Sequence, residues 1–342
     1  MSLNFATLFN VKYLAKGLAL YNSLLKNCPQ FHLYIVAFDD VTYQVLSQQH
    51  LAHTTIITLN NFENDELLAV KASRTMAEYC WTCTPFTVKY CIEKFGLDHC
   101  TYIDADIYFY DDPTPLITCM DDNSVLITPH NYYHRYDQSA ISGIYCVQFT
   151  TFKNTLAGLA VLNWWADACL KWCYARYEDG KMGDQKYLDS WPYMFDGVQT
   201  CKEPGAGLAP WNAIGFNVDI NADKIMVENT NLYFYHFHAL NCLSNKKWHT
   251  GGYQIPENVV ANIYKPYINE LMAIDRSIKA QFSELDTLNT IDRKDFDMLT
   301  SKYKLGIYLI DIKKSFRQFF ADLFFVNRRK HYKNNFITVN ED

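Results

Sequence analysis

Tyr102-Ile103-Asp104-Ala105-Asp106 places two carboxylates at i and i+2 where an apolar strand ends. In open α/β sheets, ligands sit outside the carboxyl ends of the strands. Oxygen ligands there suit Mg²⁺ or Mn²⁺ bridging a diphosphate. The same spacing in Asp295-Phe296-Asp297 falls in a polar helical stretch and reads as a solvated face. The distinction lies in the apolar strand before Asp104 and the aromatic Tyr108-Phe109-Tyr110 after Asp106. A carboxylate pair that merely caps a loop is the plainer alternative.

Tyr235-His236-Phe237-His238 is the second constellation. On a strand, residues i and i+2 face one side. His236 and His238 would then complete a cation site with the distant aspartates, or be two buried, hydrogen-bonded histidines. In GKMGDQKYLD, residues 180–189, a glycine-bounded turn enters a helix with Asp184 at the N-cap. Beyond capping, this turn, with Asp184, Gln185 and Asp189, offers a substrate a carboxylate and an amide, with Asp184 or Asp189 as base or charge stabiliser. PGAGLAPWN, residues 204–212, is a substrate-facing loop or a tight connection, and with no GK[ST] after it, it is not a P-loop. Arg74 would reach a phosphate from a helix, unless it is an ordinary surface arginine.

The elements that must position these groups follow from hydrophobic periodicity. It predicts strands over 5–9, 31–38 and 54–59, another from His99 into the acidic turn, and others at 125–128, 143–149 and 232–238. Helices are predicted over 13–25, 41–50, 63–96 with an interruption at Thr84-Pro85, 155–177 and 184–190. Such alternation implies βαβ units and a mostly parallel sheet flanked by helices. After Pro256 the pattern is wholly helical to about Phe325. The expected organisation is an α/β catalytic body over 1–250 and a helical C-terminal region over 251–342.

At 342 residues the chain can bury a full core without disulfide or metal staples. Charged residues at 20% against 49% hydrophobic exclude disorder and coiled coil as the main architecture. The net charge of −6 argues against general nucleic-acid binding. There is no GxSxG, GxGxxG or HExxH, which weakens hydrolase, dehydrogenase and metalloprotease readings. No run of about 18 apolar residues marks a membrane span, and MSLNFATLFNVKYLAKG lacks the parts of a signal peptide. The eleven cysteines, odd in number and irregularly spaced, read as free thiols in a reducing cytosol. Cys80 and Cys83, with Cys91 and Cys100 following, have the wrong intervals for a zinc ribbon or finger.

Residues 301–335 carry nine lysines and arginines against Asp311 and Asp322, a net +7, which leaves the rest of the chain at −13. Leu309, Ile312, Phe316, Phe319, Leu323 and neighbouring phenylalanines form one apolar stripe at helical spacing. The stripe is either a helix lying on an anionic membrane surface or a helix packed on the domain.

Several segments, in order, resemble the bacterial-type nucleotide-diphospho-sugar transferases of the GT-A fold. They are FATLFNVKYLAKGLALYNSL, SRTMAEYCWTCTP, TYIDADIYFYDDP, GIYCVQFTTFKN, WCYARYEDGKMGDQKYLD, GAGLAPWN and LYFYHFH, together spanning about residues 1–250. The resemblance implies transfer of a sugar from a nucleotide diphosphate, usually with Mn²⁺ or Mg²⁺. By it, Asp104 and Asp106, around Ala105, match the metal-binding DxD. His236-Phe237 is similar to the late His-aromatic motif of retaining lipooligosaccharide-type galactosyltransferases, which supplies a further metal ligand. The glycine and Lys-Pro-Trp that follow there are replaced by His238-Ala239 and Lys246-Lys247-Trp248, so either His236 or His238 is the ligand, and Lys247 is the candidate for the diphosphate. Asp184-Gln185 resembles the Asp-Gln pair facing the transferred sugar, and it favours retention. Thr7, Leu8, Phe9 and Asp39 match positions approaching the base, with uracil as the default, and the ribose.

The expectation is therefore a metal-dependent transferase acting on a glycan or lipid-linked acceptor in cell-surface polysaccharide or lipopolysaccharide assembly. It would be cytoplasmic, held peripherally on the inner membrane face through 301–335. A sugar-1-phosphate nucleotidyltransferase and a non-catalytic carbohydrate-binding member of the fold are the alternatives. On the membrane expectation the protein sediments with anionic vesicles and loses this on deletion of 301–342; sedimentation unchanged by the deletion contradicts it.

Overall fold

The computed structural model describes residues 2–221, 224–244, 247–292, 294–296 and 336–339. The basic stretch 301–335 lies outside them. The strands are β1 (Leu3–Phe9), β2 (Phe31–Ala37), β3 (Thr54–Thr58), β4 (His99–Ile103), β5 (Ile107–Phe109), β6 (Val125–Pro129), β7 (Tyr145–Lys153), β8 (Val198–Thr200) and β9 (Ala206–Leu208), with later short strands. Seven form the main sheet in the order β3-β2-β1-β4-β7-β6-β8. Only β7 runs against its neighbours; every other pairing is parallel.

Both faces of the sheet are buried, which explains why its strands read as near-continuous apolar runs. Along β1, Leu3, Phe5 and Phe9 join one hydrophobic cluster, while Ala6 and Leu8 join the opposite one. Helix Leu14–Asn27 follows β1 and buries two sides. Leu14, Leu18 and Leu24 pack on the sheet, and Ala15 and Ala19 pack with Tyr264, Tyr267 and Leu271 of the later helical segment. Gly17 allows its close approach: a Cβ there would lie 2.3 Å from the Phe9 ring.

Three expected elements differ. The predicted helix over 63–96 is divided, with Asp65–Lys71 separate from Met76–Phe95. The break falls at Thr75, where a reciprocal capping box with Glu78 starts the second helix, and Pro85 is carried inside it. The helix predicted over 155–177 is Leu156–Lys171. Beyond it the chain is diverted by an Asp179-Gly180 turn with both residues at positive φ, and Glu78 Oε1 accepts from the Ala175 N–H at 2.8 Å. After Pro256 the helical pattern holds through Lys279, and 280–292 is irregular. Among the described residues no helix is long and apolar enough to cross a membrane.

A smaller sheet matters most for the site. Strand Phe234–His236 pairs antiparallel with β5 and parallel with β9. This puts His236 opposite Ile107, directly after the turn that carries Asp104 and Asp106. The Phe237 N–H donates to the Asp106 carbonyl at 2.9 Å and fixes the junction.

Candidate active site

The turn between β4 and β5 holds Asp104 and Asp106 at the carboxyl end of the parallel strands. Their carboxylates and His236 have ligand atoms within 4.8 Å of one another. His236 Nε2 lies 3.1 Å from Asp106 Oδ1 and 3.8 Å from Asp104 Oδ2. On its other side, His236 Nδ1 is 2.7 Å from Gln148 Oε1. With that oxygen accepting, Nδ1 carries the hydrogen and Nε2 faces the carboxylates, the arrangement usual for a metal-binding histidine. Two carboxylates and one imidazole suit Mn²⁺ or Mg²⁺ with substrate oxygens completing the shell.

The electrostatics match a site built for positive charge. Burial pushes Asp104 up to about 6, opposed by His236 and reinforced by Asp106. Burial acts the same way on Asp106, but His236 and Lys16 outweigh it and hold that carboxyl well below the usual range. Burial disfavours a charged His236, yet Asp106 overrides it and raises the imidazole well above its ordinary value. Lys16 Nζ stands 3.6 Å from Asp106 Oδ2. Burial lowers the Lys16 pKa, and Asp106 works against that.

These groups border a pocket of about 850 Å³. Leu8, Phe9 and Asn10 at the end of β1, with Tyr13, form part of its wall. Asp184 and Gln185 line the pocket too. Asp184 stands at the N-cap position but makes no capping bond, and its Oδ2 has no hydrogen-bond partner while only 3% of the residue is exposed. Burial pushes its carboxyl up to about 7, with Thr84 opposing and Asp104 reinforcing. A third part of the wall is aromatic: Tyr132, Trp211 and Tyr253. Trp211 presents its edge to His236 at 5.3 Å and lies 5.4 Å from His238. Residues 204–212 contain β9 and this tryptophan, whose Nε1 donates to the His130 carbonyl at 2.8 Å. Gly207 (φ +109°) is required here, because a Cβ would lie 2.8 Å from Gln148 Nε2.

The other sequence candidates sit differently. His238 lines the pocket but is exposed, its ring 5.8 Å from that of His236. Thr7 is fully buried and does not line the pocket. Asp39 accepts from the Val11 N–H at 2.9 Å and the Thr42 N–H at 2.7 Å, tying the turn after β1 to the next helix. Asp189 accepts from the Ile144 N–H at 2.7 Å and pairs with Lys186 at 2.8 Å. Arg74 donates to the Leu170 carbonyl and stacks 3.9 Å over Tyr174. Lys247 is exposed, and it, Asp39, Asp189 and Arg74 are not part of the pocket wall. In the second Asp-x-Asp, Asp295 is exposed and Asp297 lies outside the described residues.

Lys16 and Gln148 escaped the sequence reading. Lys16 looks like any lysine on an amphipathic helix. Gln148 had a usable signal: an amide inside the apolar run Tyr145-Cys146-Val147-Gln148-Phe149, and a buried amide demands partners.

No family model matches the chain. The uncharacterized Bacillus subtilis (strain 168) protein YfnD is 28% identical over 290 residues, which cover 82% of this chain and 92% of that protein. YfnF from the same organism is 30% identical over 253 residues, 71% of this chain and 84% of that protein. This chain belongs to the same family as YfnF. Galactosyltransferase LgtC, solved with donor and acceptor sugar analogs, aligns with a TM-score of 0.50 at 13% identity, covering 79% of this chain and 96% of that one. The fold is that of the GT-A nucleotide-sugar glycosyltransferases.

Asp184 yields a stability prediction. Its folded pKa, about 7, exceeds the unfolded value of about 3.9. The folded state therefore holds the proton more tightly, and stability is lost as pH rises between these values. Asp184→Asn should melt close to wild type at pH 4.5 and about 2–4 °C above it at pH 8, read by calorimetry. A difference that stays the same at both pH values contradicts the assignment.

Proposed function

We propose that this member of the YfnF family is a metal-dependent glycosyltransferase, moving a sugar from a nucleoside diphosphate to a glycan or glycolipid acceptor. The observation that carries the reading is the convergence of Asp104, Asp106 and His236 in one pocket at the carboxyl end of the sheet. Asp104, Asp106 and His236 would hold Mn²⁺ or Mg²⁺, which when bound neutralises the charge gathering on the leaving diphosphate.

The chain's own residues do the remainder. Gln148 fixes the His236 ring. Leu8, Phe9 and Asn10 offer a wall for the nucleoside, with uracil as the expected base. Asp39 supports that wall by pinning the turn that follows, and Thr7 supports it from within the strand. Asp184 and Gln185 face the transferred sugar, and an unpartnered, buried carboxylate oxygen there is a group kept for a substrate. That placement favours retention of the anomeric configuration, with Asp184 stabilising positive charge on the sugar as the bond to diphosphate breaks. Asp189 positions the loop ending at Ile144. The wall of Tyr132, Trp211 and Tyr253 excludes water and gives an acceptor sugar an apolar face to stack on. His236 takes the ligand role, with His238 exposed beside it. Cytoplasmic action on cell-surface polysaccharide or lipopolysaccharide, next to the membrane through 301–335, completes the proposal.

A thermal-shift panel of UDP-, GDP- and dTDP-sugars, each with and without Mn²⁺, tests this. One nucleotide sugar at 100 times its Kd should stabilise the protein by about 2.7 kcal/mol, a rise of about 4 °C, only with metal and not in Asp106→Ala. Stabilisation by no nucleotide sugar under either condition contradicts the transferase reading.

A further inference from the structure

Lys16 is the least expected charge near the site. It lies on the helix after the first strand, 7% exposed, with its ammonium 3.6 Å from Asp106 Oδ2 and 4.6 Å over the Tyr13 ring. Asp106 thus has a basic side chain at each oxygen, His236 at Oδ1 and Lys16 at Oδ2. The approach is built in. Gly17, next in the chain, lets the helix rest against Phe9 where any Cβ would collide, and Phe9 and Tyr13 both line the pocket. Lys247, the lysine expected to meet the diphosphate, is exposed; neither it nor Lys16 is part of the pocket wall, but Lys16 lies against Asp106. Lys12 does line the pocket, but it is exposed to solvent, where its charge is screened.

Resting on the metal reading above, we propose that Lys16 is a positioning residue that sets the charge of the site, weakening the bare cation and strengthening the diphosphate. Two carboxylates and a divalent cation sum to zero with a neutral imidazole. A buried lysine beside them makes the loaded site +1, matched to a leaving diphosphate rather than to the metal alone. Its repulsion falls on the cation and its attraction on the phosphates. Because the lysine is buried, neither effect is fully screened. A purely structural lysine would behave otherwise, since its loss would loosen Asp106 and weaken both ligands together.

The test measures Mn²⁺ alone by electron paramagnetic resonance, then UDP at saturating Mn²⁺ by calorimetry. In Lys16→Met the Kd for Mn²⁺ should fall about tenfold and that for UDP should rise about tenfold. Lys16→Arg should stay within about threefold of wild type for both, and Lys12→Met should change Mn²⁺ binding less than twofold. Lys16→Gln, which keeps a polar head, repeats the opposed shifts should the methionine variant not fold. Weaker Mn²⁺ binding, or unchanged Mn²⁺ binding, in a folded neutral variant overturns the proposal while leaving the metal site intact. Failure of wild type to bind Mn²⁺ at all overturns both.

Discussion

Two carboxylates confined at one buried turn repel each other and have lost their water. Unless positive charge is supplied, one must take a proton. Much of the architecture around Asp104 and Asp106 supplies it. The small sheet of β5, Phe234–His236 and β9 delivers His236 to one side of Asp106. Helix Leu14–Asn27, seated closely through Gly17, delivers Lys16 to the other. Asp104, with the longer approach to His236, is the member left with a raised pKa. A divalent cation would satisfy both carboxylates at once, as the proposed metal site requires.

Asp184 adds the opposite kind of tension. It is buried, lacks a partner on one oxygen, and sits where it could have capped a helix but does not. Groups held in this way destabilise the fold and persist where a ligand completes them. The pocket therefore combines a cluster that a cation would satisfy with a carboxylate that a ligand would satisfy, as the proposed transfer from a nucleotide sugar requires.

Much of this was legible in the residues. The apolar strand running into Asp104 and Asp106, and the strand carrying His236, show where two parts of the chain must meet. The β–α alternation implies the mostly parallel sheet. What escaped depends on tertiary placement. Lys16 is polar by type and buried only because Gly17 admits its helix. Arg74, Asp39 and Asp189 have the right chemistry for a phosphate or a sugar, but the fold spends them on backbone groups and a tyrosine ring. Local pattern likewise misplaced the break at Pro85, because a capping box ten residues earlier is the stronger signal. The two histidines are indistinguishable by spacing; in the fold Gln148 meets His236 at 2.7 Å, a contact that only tertiary placement supplies.

The proposed function stands or falls with one divalent cation held by Asp104, Asp106 and the Nε2 of His236. Electron spin-echo modulation on the Mn²⁺-loaded protein tests it directly, since a coordinated imidazole nitrogen imprints its coupling on the metal. That coupling is expected in wild type and in His238→Ala, and its loss in His236→Ala. Absence of a nitrogen coupling in wild type, or its loss in His238→Ala with retention in His236→Ala, would contradict it.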